Sequence, residues 1–364
     1  MTDGDVLKAK LEEILKLTRK SLKEDKNEFV TIYMAGDLGI SSHVPFPFPT
    51  GLAELDYHLG GKCGLPAGKI IEYYGLPATG KTTLSYHTLA ECQKLGGLTL
   101  FVDTEQSWDD YRAEEIGVNP NHISVAPARS VEAIFNILEA FCTNAAKSGF
   151  KGPILAVVDS VTGVPTQADL DGQITTEARV GHEAKQIRRG VRRLQGILSD
   201  TKATVIFINH AVSKMATMPY AKQTQAAGGH GIKYMEFIRI ELKSKGQIKK
   251  GKGEDQIRIG QDIGFEIEKL KNAALPYPKI DKISLMDEGF DKVGSLFAAA
   301  VKTGFIDKTK TGDVCTMFKG TDVERQFKED AWEQVLAELG GYDKVYQAWI
   351  EHGKQAGVLK PWGS

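Results

Sequence analysis

The chain has 364 residues and 46 Lys+Arg against 47 Asp+Glu, a net charge of −1, so any nucleic-acid binding must come from a local basic patch rather than the overall balance. At 41% hydrophobic and 26% charged the composition is that of an ordinary globular protein, with no apolar run long enough to span a bilayer and no opening signal-peptide pattern. The four cysteines, Cys63, Cys92, Cys142 and Cys315, form no C-x-x-C pair, and reduced core thiols in a cytoplasmic setting are the simplest account.

In chain order, Leu7, Leu11, Ile14, Leu15 and Leu17 predict an amphipathic helix ending near Asp25. Residues 28–34 (EFVTIYM) read as a strand, which must join its own sheet or a neighbour's because a lone strand does not stay unpaired. Pro45, Pro47 and Pro49 exclude helix and predict a stiff, extended linker. The core begins at Thr50. Residues 69–74 (KIIEYY) read as a buried strand and 82–95 as a helix. Between them stands Gly75-Leu76-Pro77-Ala78-Thr79-Gly80-Lys81-Thr82, followed by Thr83. This stretch fits G-x-x-x-x-G-K-[ST] in the strand–loop–helix context that the motif requires. Its glycines let the backbone fold into a nest of N–H groups around phosphate oxygens, and the helix adds its positive end. Lys81 would reach the β- and γ-phosphates, and the Thr82 hydroxyl would sit on Mg²⁺. With 38 glycines in the chain a chance match is the bland alternative, and the flanking strand and helix argue against it. The motif implies binding of a nucleoside triphosphate.

Further strands at 98–103 (LTLFVD), 122–125, 154–159 (ILAVVD) and 204–209 (TVIFIN) alternate with helices over 131–146 and 181–200. This alternation predicts an α/β fold: a mostly parallel sheet flanked by helices, with ligands bound at the carboxyl ends of the strands. Glu105, Asp159 and His210 all fall there. Asp159 suits the carboxylate that holds Mg²⁺ beside Thr82, and Glu105 suits orientation or deprotonation of an attacking water. A turn aspartate and a solvated loop glutamate are the alternatives. In the helix at 181–200, Ile187, Val191, Leu194 and Leu198 form a core stripe, while Lys185, Arg188, Arg189, Arg192 and Arg193 crowd the remainder. Such a face is either solvated or phosphate-binding. The second reading draws on two flanking polar segments, 168–179 with Gly172 and Arg179, and 212–231 with Gly228 and Gly229, which could close around a single strand. Beyond residue 230, segments 237–242 and 264–270 alternate as antiparallel strands do. The lysine- and glycine-rich tip between them (KSKGQIKKGKGEDQ) is a solvated connection or a weak DNA contact. From Gly294 a small mixed domain is expected, with helices around 327–339 and 345–356.

The succession GLPATGKTT, LFVDTEQ, AVVDSV, VIFINH and AAGGHGIKYM resembles the RecA recombinase core, motif by motif and in order, over roughly residues 50–304. The resemblance implies a RecA-like P-loop NTPase core with an N-terminal helix–strand polymerisation arm and a small C-terminal α/β domain. The expected division is 1–49, 50–293 and 294–364. It implies a DNA-dependent ATPase, using ATP and Mg²⁺, that forms a helical filament on single-stranded DNA and promotes pairing and strand exchange with homologous duplex. Mediator or single-strand-binding proteins are further implied partners, no membrane is, and the setting is a bacterial or phage-infected cytoplasm. Residues 168–179 and 212–228 fall at the family's two DNA-binding loops. Arg192, in RRGVRRL, matches an arginine facing the DNA backbone. Asp109 and Tyr111, in DDYRAEEIGV, match the adenine-stacking region, with a spacing from Asp103 one residue shorter than in bacterial RecA. Lys269 and Lys271, in EKLKNAALP, match a lysine pair that reaches the neighbouring protomer's nucleotide. The strand at 29–34 matches the one that joins the neighbour's sheet. His210, where bacterial RecA has glutamine, is similar to phage recombinases of the UvsX type. The ending GVLKPWGS departs from the family's acidic tail, so self-inhibition by such a tail is expected to be absent. Three rival readings remain for such a core. A hexameric helicase would need a large N-terminal domain. A purely structural filament would need no turnover, and a small-molecule kinase would leave the basic helix unexplained.

Overall fold

A computed structural model describes residues 10, 12–14, 16–18, 20, 47–171, 181–213, 224–227, 231–251, 256–271, 279–309, 314–318 and 324–361. The chain divides into two units, Met1–Val44 and Pro45–Ser364. In the first, the described residues are helical, as the leucine spacing predicts, and Ile14 and Leu17 of the apolar stripe are exposed. The strand expected at 29–34 lies outside the described residues.

The second unit opens with β1 (Pro47–Phe48), which pairs antiparallel with β2 (Leu65–Pro66) beyond the short helix α1 (Ala53–His58). The run is extended, as the prolines predict, but Pro47 and Phe48 pair with β2 instead of belonging to a linker that reaches residue 49. Phe48 is fully buried, and its carbonyl lies so near Gly64 that a Cβ there would sit 2.2 Å from it. Extended backbone is what the prolines dictate, and the core takes that strand up.

The chain then runs through β3 (Ile70–Gly75), α2 (Lys81–Lys94), β4 (Leu98–Asp103), α3 (Asp110–Ile116), β5 (Ile123–Pro127), α4 (Val131–Lys147) and β6 (Ile154–Asp159). It continues through α5 (Gln167–Asp171), α6 (His182–Thr201), β7 (Thr204–Ser213), β8 (Thr224–Ala226), β9 (Ile238–Lys250), β10 (Ile257–Leu270), β11 (Lys279–Met286) and β12 (Gly289–Phe290). Among the described residues these strands form one ten-stranded sheet, β12-β11-β10-β9-β3-β7-β6-β4-β5, with β8 on β7. From β9 to β5 along this order the pairs are parallel; β10, β11 and β12 add on antiparallel. Every residue of β3 and β6 is buried, which explains the apolar run of β6 and a β3 that is apolar but for Glu72: helices cover both faces. On one face α4 and α6 pack Ile134, Leu138, Ile187, Val191, Leu194 and Leu198 against Ala156, Val158, Val205 and Phe207. Gly190 permits that approach, since a Cβ there would lie 2.2 Å from the Phe135 ring.

Two boundaries differ from the sequence reading. The strands flanking the lysine-rich tip reach further into it than 242 and 264, since β9 and β10 pair through Lys250 and Ile257 in a long ribbon. Its alternating residues satisfy a strand as well as a loop, and the partner strand decides. Strand β7 likewise does not end at Asn209 but continues to Ser213 and pairs with β8.

The C-terminal part comprises α7 (Lys292–Lys302), the antiparallel sheet β13 (Ile306–Lys308), β14 (Cys315–Met317) and β15 (Arg325–Phe327), and helices α8 (Trp332–Glu338) and α9 (Tyr342–Gln355). Phe297, Met317, Trp332, Val335 and Trp349 form its core with Ala53 and Cys63. All four cysteines are free and buried, and burial pushes the thiols of Cys63, Cys92 and Cys142 up to about 12. Among the described residues no helix is long and apolar enough to cross a membrane. Asp56 in α1 ties this region to the core: it accepts from Thr50 N at 2.9 Å and from the Tyr346 hydroxyl at 3.0 Å. Burial pushes its carboxyl up to about 7, against the pull of those hydrogen bonds. The folded state therefore holds the proton more tightly than the unfolded chain, and this group's contribution to stability falls as pH rises from about 4 to about 7. Asp56→Asn should flatten that fall, so the loss in Tm between pH 5 and pH 8, followed by circular dichroism, should be smaller than in the unmodified protein.

Candidate active site and nucleic-acid interface

Strand register brings the chemistry to one level. Gly75 at the end of β3 lies opposite His210 on β7, and Asp103 at the end of β4 lies opposite Asp159 at the end of β6. Parallel strands all present their carboxyl ends on the same edge, so the segments leaving them share one crevice.

The glycine loop spans that crevice. A Cβ on Gly75 would sit 2.4 Å from the Leu242 carbonyl and one on Gly80 would sit 2.8 Å from Leu285 and Phe290, so both positions require glycine. Gly80 has φ 80 and Ala78 φ 59, the left-handed turns that aim successive N–H groups inward. Leu76, Pro77 and Ala78 are exposed, while Thr79 is buried and donates to the Leu76 carbonyl at 2.8 Å. Lys81 folds over the loop and donates to the carbonyls of Gly75 and Leu76 at 3.1 and 3.0 Å. Burial lowers its pKa, opposed by the charges of Asp159 and Glu105. Thr82 Oγ1 donates to Asp159 Oδ2 at 2.5 Å, and Thr83 is half-buried in the same first turn of α2. Burial pushes the Asp159 carboxyl up to about 6, with the Thr82 hydroxyl working against it. Thr82 and Asp159 offer hard oxygens in contact, the donor chemistry that suits Mg²⁺ bound by few protein ligands together with phosphates. Among the described residues no group of three or more His, Cys, Asp and Glu is placed to hold a metal alone.

The turn after β4 is organised by Asp103, whose carboxylate accepts from the N–H groups of Glu105, Ser107 and Trp108 at 3.2, 3.1 and 3.0 Å. Glu105 Oε1 lies 2.8 Å from His210 Nε2. Burial raises the Glu105 pKa, but hydrogen bonds from Ser160 and His210 and the charges of His210 and Lys81 hold it below the usual carboxylate range. Thr104 links the turn to β6 by donating to the carbonyls of Asp159 and Ser160 at 3.0 and 2.8 Å. Asp109 caps α3 by accepting from Arg112 N at 3.1 Å, and Tyr111 on that helix is 84% exposed, an aromatic face free for stacking.

Lys269 and Lys271 are not brought to this crevice within the protomer. Lys269 pairs across the ribbon with Arg239, which lies level with Glu72, three residues before Gly75 and so about 10 Å back along β3. The Lys269 ammonium donates to the Lys233 carbonyl at 2.7 Å and meets Glu236 at 3.5 Å; Lys271 is exposed.

On α6, Lys185, Arg188 and Arg192 lie at i, i+3 and i+7 as one exposed stripe. Among the described residues no ion pair engages them, whereas Arg193 on the adjacent stripe pairs with Glu139 of α4 at 2.8 Å. Gly172, Arg179, Gly228 and Gly229 lie outside the described residues. What the sequence reading missed is Gln261. This buried side chain of β10 donates to the Ala78 carbonyl at 2.5 Å and accepts from Arg258 at 2.9 Å, pinning the left-handed turn of the loop. Nothing in the local pattern of an alternating strand marks it, because the contact crosses 183 positions.

A phosphate loop between a buried strand and helix, with an aspartate and a glutamate at the ends of neighbouring parallel strands, defines a P-loop ATPase of the RecA-like fold. The RecA N-terminal domain family model matches residues 32–291. The chain is 34% identical over 260 residues to Protein RecA of Helicobacter pylori strain P12, covering 71% of each chain. It is 32% identical over 279 residues to Protein RecA of Allochromatium vinosum, covering 77% of this chain and 76% of the relative. To Protein RecA of Chloroherpeton thalassium it is 32% identical over 259 residues. The chain belongs to the RecA family. It is an ATP-dependent DNA recombinase, a DNA-dependent ATPase that promotes strand exchange. The family works with ATP and Mg²⁺, binds single-stranded DNA and forms filaments.

Gln261→Met keeps the volume and removes the donor to Ala78. It should raise the KM for ATP about threefold to tenfold, as expected for one lost hydrogen bond, with kcat nearly unchanged in steady-state assays.

Proposed function

We propose that the crevice is the ATP site of a filament protomer whose catalysis is completed by its neighbour. The observation that carries this reading is the convergence of the Gly75–Thr83 nest, the Thr82–Asp159 contact and the Glu105–His210 contact on one sheet edge. Residues 75–82 hold the phosphates, Lys81 neutralises their charge, and Thr82 with Asp159 holds the cation. The cation supplies neutralisation of the β- and γ-oxygens. Glu105 orients and deprotonates the attacking water, and its lowered pKa suits the orienting part of that role, since the carboxylate stays ionised to accept from the water. His210 abuts Glu105 where it can meet the γ-phosphate, and Asp109 and Tyr111 flank the adenine.

The developing charge on the γ-phosphate has one lysine of its own protomer against it, and Lys269 with Lys271 supplies the rest in trans. Their distance from the crevice within one chain supports this division. The strand at 29–34 adds to a neighbour's sheet, and β5 offers an edge for it, with Ser124, Val125 and Pro127 exposed. Such head-to-tail contact generates an open helix. The division of labour is then 1–49 for protomer contact, Pro47 and Phe48 apart, 50–293 for the ATPase core and DNA loops, and 294–364 for a small C-terminal domain. Lys185, Arg188 and Arg192, with Gly172, Arg179, Gly228 and Gly229 in the two loops, follow the DNA phosphates. Homologous duplex is the second DNA partner, and mediator or single-strand-binding proteins assist loading. His210 in place of glutamine supports a UvsX-like, phage-type member working in an infected bacterial cytoplasm.

The test is to mix Lys269→Ala/Lys271→Ala protein with Lys81→Ala protein and to measure ATPase activity on single-stranded DNA. Each variant alone should be nearly inactive, and mixed filaments should regain activity where an intact loop faces intact lysines. Normal turnover by the lysine double variant alone would overturn the trans site. Separately, Arg192→Ala should reduce the slope of log affinity against log salt for single-stranded DNA by about one, read by fluorescence anisotropy. An unchanged slope would remove Arg192 from the DNA face.

A further inference from the structure

Asn209 stands immediately before His210 on β7 and is 1% exposed. An amide side chain carries two N–H donors and an oxygen with two lone pairs, and here all four are used. Its Nδ2 donates to Glu72 Oε1 at 2.7 Å and to the Ala227 carbonyl at 3.1 Å. Its Oδ1 accepts from Thr162 Oγ1 at 2.7 Å and from His210 N at 2.8 Å. The partners belong to four different parts of the machinery. Glu72 lies on β3, which leads into the phosphate loop. Thr162 follows the end of β6, and its carbonyl accepts from Ser160 Oγ at 2.9 Å, next to Asp159. His210 touches Glu105. Ala227 lies in the segment read as the second DNA loop, and its N–H donates to the His210 carbonyl at 2.8 Å.

Behind Asn209, Glu72 belongs to a buried cluster of charges. Arg239 lies 3.0 Å from Glu72, 3.3 Å from Glu268 and 3.9 Å from Glu236, with its guanidinium 4.8 Å above the Tyr74 ring. Glu236, fully buried, meets Lys269. Buried carboxylates and cations held in this way cannot separate without leaving a charge uncompensated. Glu72 therefore gives Asn209 a fixed point, and a displacement of His210 is passed to Ala227 rather than absorbed.

We propose that Asn209 is the positioning residue that couples the nucleotide site to the second DNA loop, because one buried amide holds the backbone of His210 and the carbonyl of Ala227 against fixed partners on β3 and after β6. The inference rests on the reading above, in which His210 meets the γ-phosphate and residues 212–228 meet DNA. At a buried position the amide cannot exchange one partner without leaving another unsatisfied, so the arrangement favours discrete states over gradual deformation. Coupling of this kind is reciprocal: ATP tightens DNA by the same factor by which DNA tightens ATP.

The experiment measures that factor. Affinity for a labelled oligo(dT) is determined with and without a saturating non-hydrolysable ATP analogue, and affinity for the analogue with and without oligo(dT). Asn209→Leu should leave each ligand's affinity in the absence of the other within about threefold, while the coupling factor falls about tenfold or more. Thr162→Val, which removes a single bond to Asn209, should lower the factor partly. Undiminished coupling in Asn209→Leu overturns the proposal, as does a uniform loss of both affinities with coupling intact, the signature of a purely structural residue. If Asn209→Leu does not fold, Thr162→Val decides by the same criterion. Absence of coupling in the unmodified protein overturns the site reading itself, and this inference with it.

Discussion

The parallel register of β3, β7, β6 and β4 is the constraint on which the chemistry depends. It sets Gly75 level with His210 and Asp103 level with Asp159, so a phosphate nest, two carboxylates and an imidazole from distant parts of the chain meet at one edge. A one-residue slip of β6 would move Asp159 to the other face of the sheet and break its contact with Thr82. Strands buried on both faces gain little register from their apolar pattern, and the bonds from Thr104 to the carbonyls of Asp159 and Ser160 help to hold β6 against that slip.

Around that edge, side chains on the strands hold the backbone of the loops. Asp103 gathers three N–H groups to shape the turn that carries Glu105, and Gln261 captures the Ala78 carbonyl at the far side of the loop. In both cases a side chain on a rigid strand fixes a loop whose own sequence leaves it free. That is the usual relation between a scaffold and the reactive groups set on it. The carbonyls of Gly75 and Leu76 serve Lys81 as the acceptors that phosphate oxygens would supply in the proposed reaction. An incoming nucleotide therefore exchanges partners with the lysine instead of meeting a bare buried charge.

The C-terminal region is bound to the core by polar contacts as well as by apolar packing. Tyr346 reaches Asp56 and Lys302 pairs with Glu54 at 2.5 Å, while within the region Trp349 donates to Thr303 at 2.8 Å. These contacts lie on α1, α7 and α9, away from the sheet edge that carries the nucleotide chemistry. They anchor the small domain without entering the crevice.

Local signals were enough for the parts of the protein whose geometry is local. The glycine loop could be read from eight consecutive residues because a phosphate nest is made of consecutive N–H groups. The strands at 98–103 and 154–159 could be read because burial on both faces demands continuous apolar runs, and their observed bounds are Leu98–Asp103 and Ile154–Asp159. Even Glu105 and His210 followed from position, since strand ends in a parallel sheet share an edge. The tertiary structure decided what depends on partners far along the chain. It placed Phe48 in the core and paired it and Pro47 with β2, and it drew the flanks of the lysine-rich tip into a ribbon, because β10 pairs with β9 along most of its length. It also made hubs of Gln261 and Asn209, ordinary polar residues in their own strands. A hydrogen bond that spans 183 positions, or one amide shared by four partners, leaves no periodicity in the sequence, because its energy depends on a distance that only folding sets.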